Sequence, residues 1–296
     1  MKKTLCAVLC VLILSLGLAG CADTAHAQIA ATTLPVYEFT SRLCQGTPLE
    51  TVRLVTEEVS CLHDYSLNVR QVKAAEAAQT VVISGAGLED FLDGIFAEGK
   101  LIDASRGIEL ICPEEGHGHE HGHEHDHGHS HENDPHIWLS PENAMDMARN
   151  ICEGLSERYP QYEETFHANL ESLIRELEEL QEYGEKELSE LNCRELITFH
   201  DGFAYFAEAF GLHILKAIEE ESGSEASAKE LIRLIEETEH HGLPAVFTEL
   251  NGSPSAAQVI SRETGASIFA LDMAMAGDSY FEAMYHNIDT VKEALG

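Results

Sequence analysis

Basic residues are scarce in this chain. Against 52 Asp and Glu stand 18 Lys and Arg, giving a formal net charge of −34 and a pI of about 4.7. A surface this acidic cannot neutralise phosphates, which excludes nucleic acid as a partner. It raises the local concentration of cations, but it also keeps a protein soluble, so charge alone does not decide between those roles. No two cysteines are spaced CxxC, which rules out a cysteine zinc knuckle. Outside the segment 114–133 HExxH is missing too, and with it the usual metalloprotease signature on a helix. Beyond residue 20 no apolar run is long enough to cross a bilayer, so the body of the chain is expected to be soluble.

The N-terminus is built differently. Lys2 and Lys3 precede an apolar run from Leu5 to Leu16, then Leu18-Ala19-Gly20-Cys21. This is the pattern of a secretory signal, and a transmembrane anchor is the alternative that the shortness of the run disfavours. Small residues directly before a cysteine resemble the bacterial lipoprotein cleavage site, so residues 1–20 are expected to be removed and Cys21 to carry lipid. Cleavage there would take the charge from −34 to −36, since only Lys2 and Lys3 are lost. Residues 21–28 read as a tether. Five cysteines then remain in the fold: Cys44, Cys61, Cys112, Cys152 and Cys193. An odd number leaves at least one unpaired, and Cys44 and Cys61 lie near enough in sequence to bridge.

One stretch stands out. Between Glu114 and Asn133, eight histidines (His117, His119, His121, His123, His125, His127, His129 and His131) alternate with Gly, Glu, Asp and Ser. Such a segment cannot bury a core, so loop 114–133 is expected to be disordered. Neutral imidazole is the commonest zinc ligand, so the tract should gather metal. A purification tag would sit at a terminus without interleaved acids; a spacer with no metal role is the other bland reading. At Asp134-Pro135-His136-Ile137-Trp138 the character changes to apolar residues and then a helix start at Ser140-Pro141.

The rest of the chain alternates strand and helix. Strands are expected at 29–33, 51–56, 80–84, 101–104 and 108–112, with helices at 35–43, 68–78 (capped by Asn68) and 88–97. A helix from Ser140 to about Pro160 leads into a long acidic helix, 161–192. Its Leu170, Leu173, Ile174, Leu177, Leu180, Leu188 and Leu191 form a stripe that Gly184 breaks; a coiled-coil dimer is the alternative to packing within the chain. Then follow strand 195–199, helix 202–210, strand 213–217, helix 226–241, strand 245–250, helix 255–264, strand 267–271 and helix 279–295. Alternation of this kind predicts an α/β protein with mainly parallel sheets in two lobes, residues 29–159 and 193–296, joined by a long helix at 160–192. A metal site is expected in the cleft between the lobes.

Four residues stand where ligands bind in such folds, beyond the carboxyl ends of strands: His63, His136, His200 and Asp272. Three imidazoles and one carboxylate suit tetrahedral Zn²⁺. Taken singly, each has a bland alternative: a histidine at a strand end is usually a satisfied polar residue, and Asp272 would serve as a turn cap. Asp201 suits an N-cap, and the face of Phe203, Phe206 and Phe210 suits core. His240-His241 suits the negative end of a helix dipole. His26, His167, His213 and His286 have no partner pattern.

With those residues in place the chain resembles the metal-specific solute-binding proteins of bacterial ABC transporters. Leu62-His63-Asp64-Tyr65-Ser66, Asp134–Pro141 and Thr198–Phe206 resemble the family's first three ligand motifs. A histidine at the third place is associated there with zinc and a glutamate with manganese, and a His-rich insert before the second ligand is typical of zinc members. The resemblance implies two lobes bridged by a rigid helix, closing modestly on the ion. It implies extracytoplasmic Zn²⁺ capture by a lipid-anchored monomer that delivers to a membrane permease with a cytoplasmic ATPase, with no catalysis. Departures concern Leu62, where proline is usual, and Met273-Ala274-Met275, where Pro-Leu-Gly usually follows the fourth ligand. The fourth ligand is therefore open between Asp272, Glu249 and water, and Cys61 is near enough to offer a thiolate. Glu249, Asp201 and Trp138 are candidates for support around the ion. Competing readings are a surface metal buffer or cell-adhesion protein built on the tract, a His₃ zinc hydrolase, and, within the class, Mn²⁺ in place of Zn²⁺.

Overall fold

The computed structural model describes residues 27–56, 62, 65–92, 98–112, 133–219 and 226–296, with His200 and Glu219 described by their backbone. The leader, Cys21, Cys61, His63 and the eight tract histidines lie outside the described residues. In chain order the first half runs β1 (Ile29–Ala31), α1 (Leu34–Leu43), β2 (Thr51–Arg53), α2 (Val69–Ala77), β3 (Thr80–Ile83) and β4 (Leu101–Asp103). Two helices follow, α3 (Pro141–Arg158) and α4 (Glu163–Glu187). The second half is β5 (Glu195–His200), α5 (Ala204–Ala209), β6 (His213–Glu219), α6 (Ala228–His241), β7 (Ala245–Glu249), α7 (Ser255–Thr264), β8 (Ser267–Leu271) and α8 (Tyr280–Leu295).

All strand pairs are parallel. The first sheet has the order β2-β1-β3-β4. In the second half β5 pairs with β6 and β7 with β8, and β5 lies beside β7, so the strands follow the order β6-β5-β7-β8. The central strands are apolar on both faces because helices cover both, and alternation sorts the side chains. Ala30 and Val81 face Leu54, Ala75 and Ala78 beneath α2, whereas Ile29, Ala31 and Val82 face the main core. Likewise Ile197, Phe199 and Val246 meet Leu234 of α6 and Ile260 of α7, while Leu196, Ala245, Phe247 and Leu271 face the main core.

That main core is a layer of helices, α1, α3, α4 and α8, shared by the two lobes. Trp138, Tyr280, Phe39 and Phe166 are fully buried in it. Each such side chain contributes roughly 2–3 kcal/mol of hydrophobic transfer energy, so the layer favours lobes that stay docked. Leu173, Leu177 and Leu180 of α4 are buried here against α1, α3 and α8, so the stripe is consumed within the chain and is not left for a coiled-coil partner. Gly184 does not break the stripe. It lies buried within α4, and a Cβ there would stand 2.2 Å from the ring of Phe210.

Local signals explain the helix ends. Asn68 and Gln71 form a reciprocal capping box on α2, as Ser227 and Glu230 do on α6. Ser140 accepts from the Asn143 N–H, with Pro141 opening α3.

Five expectations need correction. Residues 108–112 form no strand: the Ile111 N–H donates to the Tyr205 hydroxyl and the Ile111 carbonyl accepts from the Asp134 N–H, so the bonds a ladder would need at Ile111 are already taken. The described part of 88–97 holds a 3-10 turn, Asp90–Leu92, and no α-helix. Its approach is a left-handed turn at Gly85, Ala86 and Gly87 (φ 82°, 57° and 87°), and Glu89 is drawn inward instead of starting a helix. The Glu89 carboxylate accepts from the Thr32 hydroxyl (2.6 Å) and the Ser84 and Gly85 N–H groups. The long helix ends at Glu187, and residues 160–162 form a separate 3-10 turn. Asp201 is no N-cap, because α5 starts at Ala204 and Phe203 holds the cap position. Finally, Cys44 is a free buried thiol and makes no bridge, as are Cys152 and the more accessible Cys112 and Cys193. Burial pushes the Cys44 thiol up to about 12. Among the described residues no helix is long and apolar enough to cross a membrane.

Candidate metal centre

The carboxyl ends of β5, β7 and β8 carry His200, Glu249 and, one residue on, Asp272. Glu249 sits in register with Leu271, and β5 lies against β7, so the three positions lie on neighbouring strands. Glu249 and Asp272 line the same cleft, together with Leu250, Asn251, Met273 and Met275. Burial raises the Asp272 carboxyl above its ordinary pKa; the Ala274 N–H, which donates to Oδ1 at 2.8 Å, and the charge of His286 partly offset this. His286 has no partner pattern in the sequence, and nothing in its neighbours signals its effect on Asp272.

His136 comes from the other half. It is 1% exposed, directly before the 3-10 turn Ile137–Leu139. Asp134 governs its orientation: Oδ1 accepts from the His136 backbone N–H (2.9 Å) and lies 2.7 Å from ring Nδ1. An ionised carboxylate only accepts, so Nδ1 carries the proton and the lone pair falls on Nε2. This carboxylate–histidine pairing is the arrangement that fixes the tautomer of metal-ligating histidines. A carboxylate two residues before a candidate ligand is the sequence signal for Asp134.

Trp138 joins the two halves. Its ring meets that of His136 edge-on at 5.4 Å, and its indole N–H donates to the Met273 carbonyl at 2.8 Å. The Tyr280 hydroxyl donates to the Trp138 carbonyl at 2.8 Å. His136 and the chain beyond Asp272 are thereby brought together. Tyr205, five residues beyond His200, adds a second tie: it donates to the Asp134 carbonyl and accepts from the Ile111 N–H, each at 2.9 Å. Asp134 N–H in turn donates to Ile111 O (2.9 Å), so the chain entering the histidine tract and the chain leaving it are fastened beside His136.

Among the described residues no three His, Cys, Asp or Glu side chains gather closely enough to hold a metal. Phe203, Phe206 and Phe210 are core, as the spacing implied. His241 has its Nδ1 2.9 Å from Glu195 and its Nε2 3.5 Å from Glu237, so contacts with two carboxylates add to any dipole effect at the end of α6.

Two parallel-sheet lobes on a shared helical layer, with polar residues at strand ends between them, define a two-lobe solute-binding protein. The chain belongs to the ZnuA family, zinc-uptake complex component A, periplasmic, whose model matches residues 29–294. It is 30% identical over 324 aligned residues to the zinc-binding lipoprotein AdcA of Streptococcus pneumoniae strain R6, an alignment covering 99% of this chain and 61% of AdcA. The chain spans between 55% and 61% of the length of the streptococcal AdcA proteins it matches. In three dimensions it is similar to a crystal structure of ZnuA (TM-score 0.76, 29% identity, 91% of this chain and 100% of that one). It is also similar to the Zn(II)-bound ZnuA-like domain of Streptococcus pneumoniae AdcA (TM-score 0.73, 27% identity, 90% and 98%). The family is one of solute-binding proteins and not of enzymes.

Proposed function

We propose that this chain captures Zn²⁺ outside the cytoplasmic membrane and delivers it to an ABC permease driven by a cytoplasmic ATPase. The observation that carries the reading is the buried His136–Asp134 pair, joined through Trp138 to the segment that bears Asp272. A dry imidazole with its Nδ1 occupied by carboxylate is prepared to ligate through Nε2. The Zn(II)-bound AdcA domain supports zinc as the cargo. His63, His136, His200 and Asp272 are the proposed ligands, with Glu249 the substitute for Asp272. A full set of four leaves no open position for catalytic water, which distinguishes a carrier from a hydrolase. The proposed division is residues 29–159 and 193–296 as lobes and 160–192 as the link, preceded by a leader, 1–20, and a tether, 21–28. Cys21 would carry the lipid anchor, and the tract histidines would be auxiliary binders.

The test is a competition titration of Zn²⁺ against a chelator, using mature protein with residues 116–132 deleted. One tight equivalent is expected, and His200→Ala should abolish it. Absence of tight binding in the deleted protein would defeat the cleft site and move the function to the tract. Tighter binding of Mn²⁺ than of Zn²⁺ would overturn the choice of metal.

A further inference from the structure

Asp272 stands one residue beyond the end of β8, where no strand pairs with it, yet both of its backbone polar groups are engaged. The partner is the side chain of Asn287, on the second turn of α8. Asn287 Oδ1 accepts from the Asp272 N–H at 2.7 Å, and Asn287 Nδ2 donates to the Asp272 carbonyl at 2.7 Å. Asn287 is 0% exposed. A fully buried amide that spends both ends on one residue acts as a neighbouring strand would: it prolongs the ladder by one position and fixes the direction in which that residue leaves the sheet.

The segment beyond is held as well. Ala274 takes a left-handed conformation, φ 54°, and its N–H donates to Asp272 Oδ1. Trp138 holds the Met273 carbonyl. Backbone and carboxylate are thus set by separate bonds: Asn287 aims the backbone, and Ala274 fixes one carboxylate oxygen. Without Asn287, the Asp272 N–H and C=O would lose their partners and the turn carrying the carboxylate would be free to rotate.

We propose that Asn287 is a positioning residue for the metal site, acting through Asp272 to set its carboxylate for the ion. This rests on the reading of Asp272 as a ligand. Loss of such outer support typically lowers metal affinity by about 10–100-fold.

A double-mutant cycle tests it in the mature protein lacking residues 116–132, with Zn²⁺ competition titrations on wild type, Asn287→Leu, Asp272→Ala and the double variant. Leucine keeps the branched outline of the amide and removes both hydrogen bonds. Asn287→Leu is expected to weaken Zn²⁺ at least tenfold, and to do so no further once Asp272 is alanine. Visible absorption of the Co²⁺-loaded protein should change for Asn287→Leu in the same sense as for Asp272→Ala, which a merely structural role would not produce. Equal effects of Asn287→Leu in both backgrounds would overturn the proposal. If Asp272→Ala alone leaves affinity unchanged, the ligand assignment fails, and the proposal with it, whatever Asn287 does. Asn287→Ala, which adds no bulk, gives the same readout should the leucine variant not fold. Failure of both to fold would overturn the proposal, since the pairing would then serve the fold and not the site.

Discussion

Asp134→Ala is the substitution with the best-defined consequence at the proposed site. It removes the one oxygen that receives both the His136 backbone N–H and ring Nδ1. Both donors are buried, and water has little access to replace the carboxylate. Two effects follow, and their sizes separate them. The ring loses the negative charge that fixes its tautomer and strengthens Nε2 as a donor, which costs about 10–100-fold in Zn²⁺ affinity, or roughly 1.4–2.7 kcal/mol. The fold loses satisfaction of two buried donors, roughly 1–3 kcal/mol for each that stays unpaired. Asp134→Asn keeps an accepting oxygen in place but not the charge, so it should fall at the weaker end for affinity. Chelator competition gives the first effect, and urea unfolding of the metal-free protein gives the second. Affinity within threefold of wild type for Asp134→Ala, in a protein still folded, would refute the claim that this carboxylate prepares His136.

Three further outcomes are expected. Gly184→Ala should destabilise by about 1 kcal/mol, because overpacking against Phe210 (about 1–3 kcal/mol) exceeds the gain in helix propensity (about 1 kcal/mol); a rise in thermal midpoint would contradict the packing. Glu89 is pushed up to about 7, mainly by burial, with the nearby charge of Asp103 adding to the effect and the bonds from Thr32, Ser84 and Gly85 opposing it. Its folded pKa lies above the unfolded one, so its contribution is whole below about pH 4.5 and declines as pH rises to about 7, by roughly 3 kcal/mol in all. Unfolding free energies of wild type and Glu89→Gln should diverge across that window, and parallel profiles would disprove it. Tyr205→Phe leaves the Asp134 carbonyl and Ile111 N–H without their shared hydroxyl; a loss of about 1–3 kcal/mol in urea unfolding is expected, and no loss would mean water replaces it.

Strand–helix alternation was legible because central parallel strands are apolar throughout and the helices between them carry their own caps at Asn68, Ser140 and Ser227. The strand-end positions of His200, Glu249 and Asp272 follow from the strands, and the tract announces its chemistry by composition. Boundaries failed where a side chain competed with a regular element. Glu89 turned inward and displaced a helix start, and Tyr205 took up backbone at Ile111 that read as a strand. Gly184 looked like a defect because helix propensity is local, whereas the ring it makes room for lies twenty-six residues away. The contacts that hold the proposed site were hidden for the same reason. Trp138 with Met273, Asn287 with Asp272, and Tyr205 with Asp134 and Ile111 are pairs whose spacing carries no periodic signal. Composition, charge and local pattern determine which elements form and which residues can bind metal. How those residues are aimed depends on buried hydrogen bonds between distant segments, and these exist once the shared helical layer has packed the two lobes together.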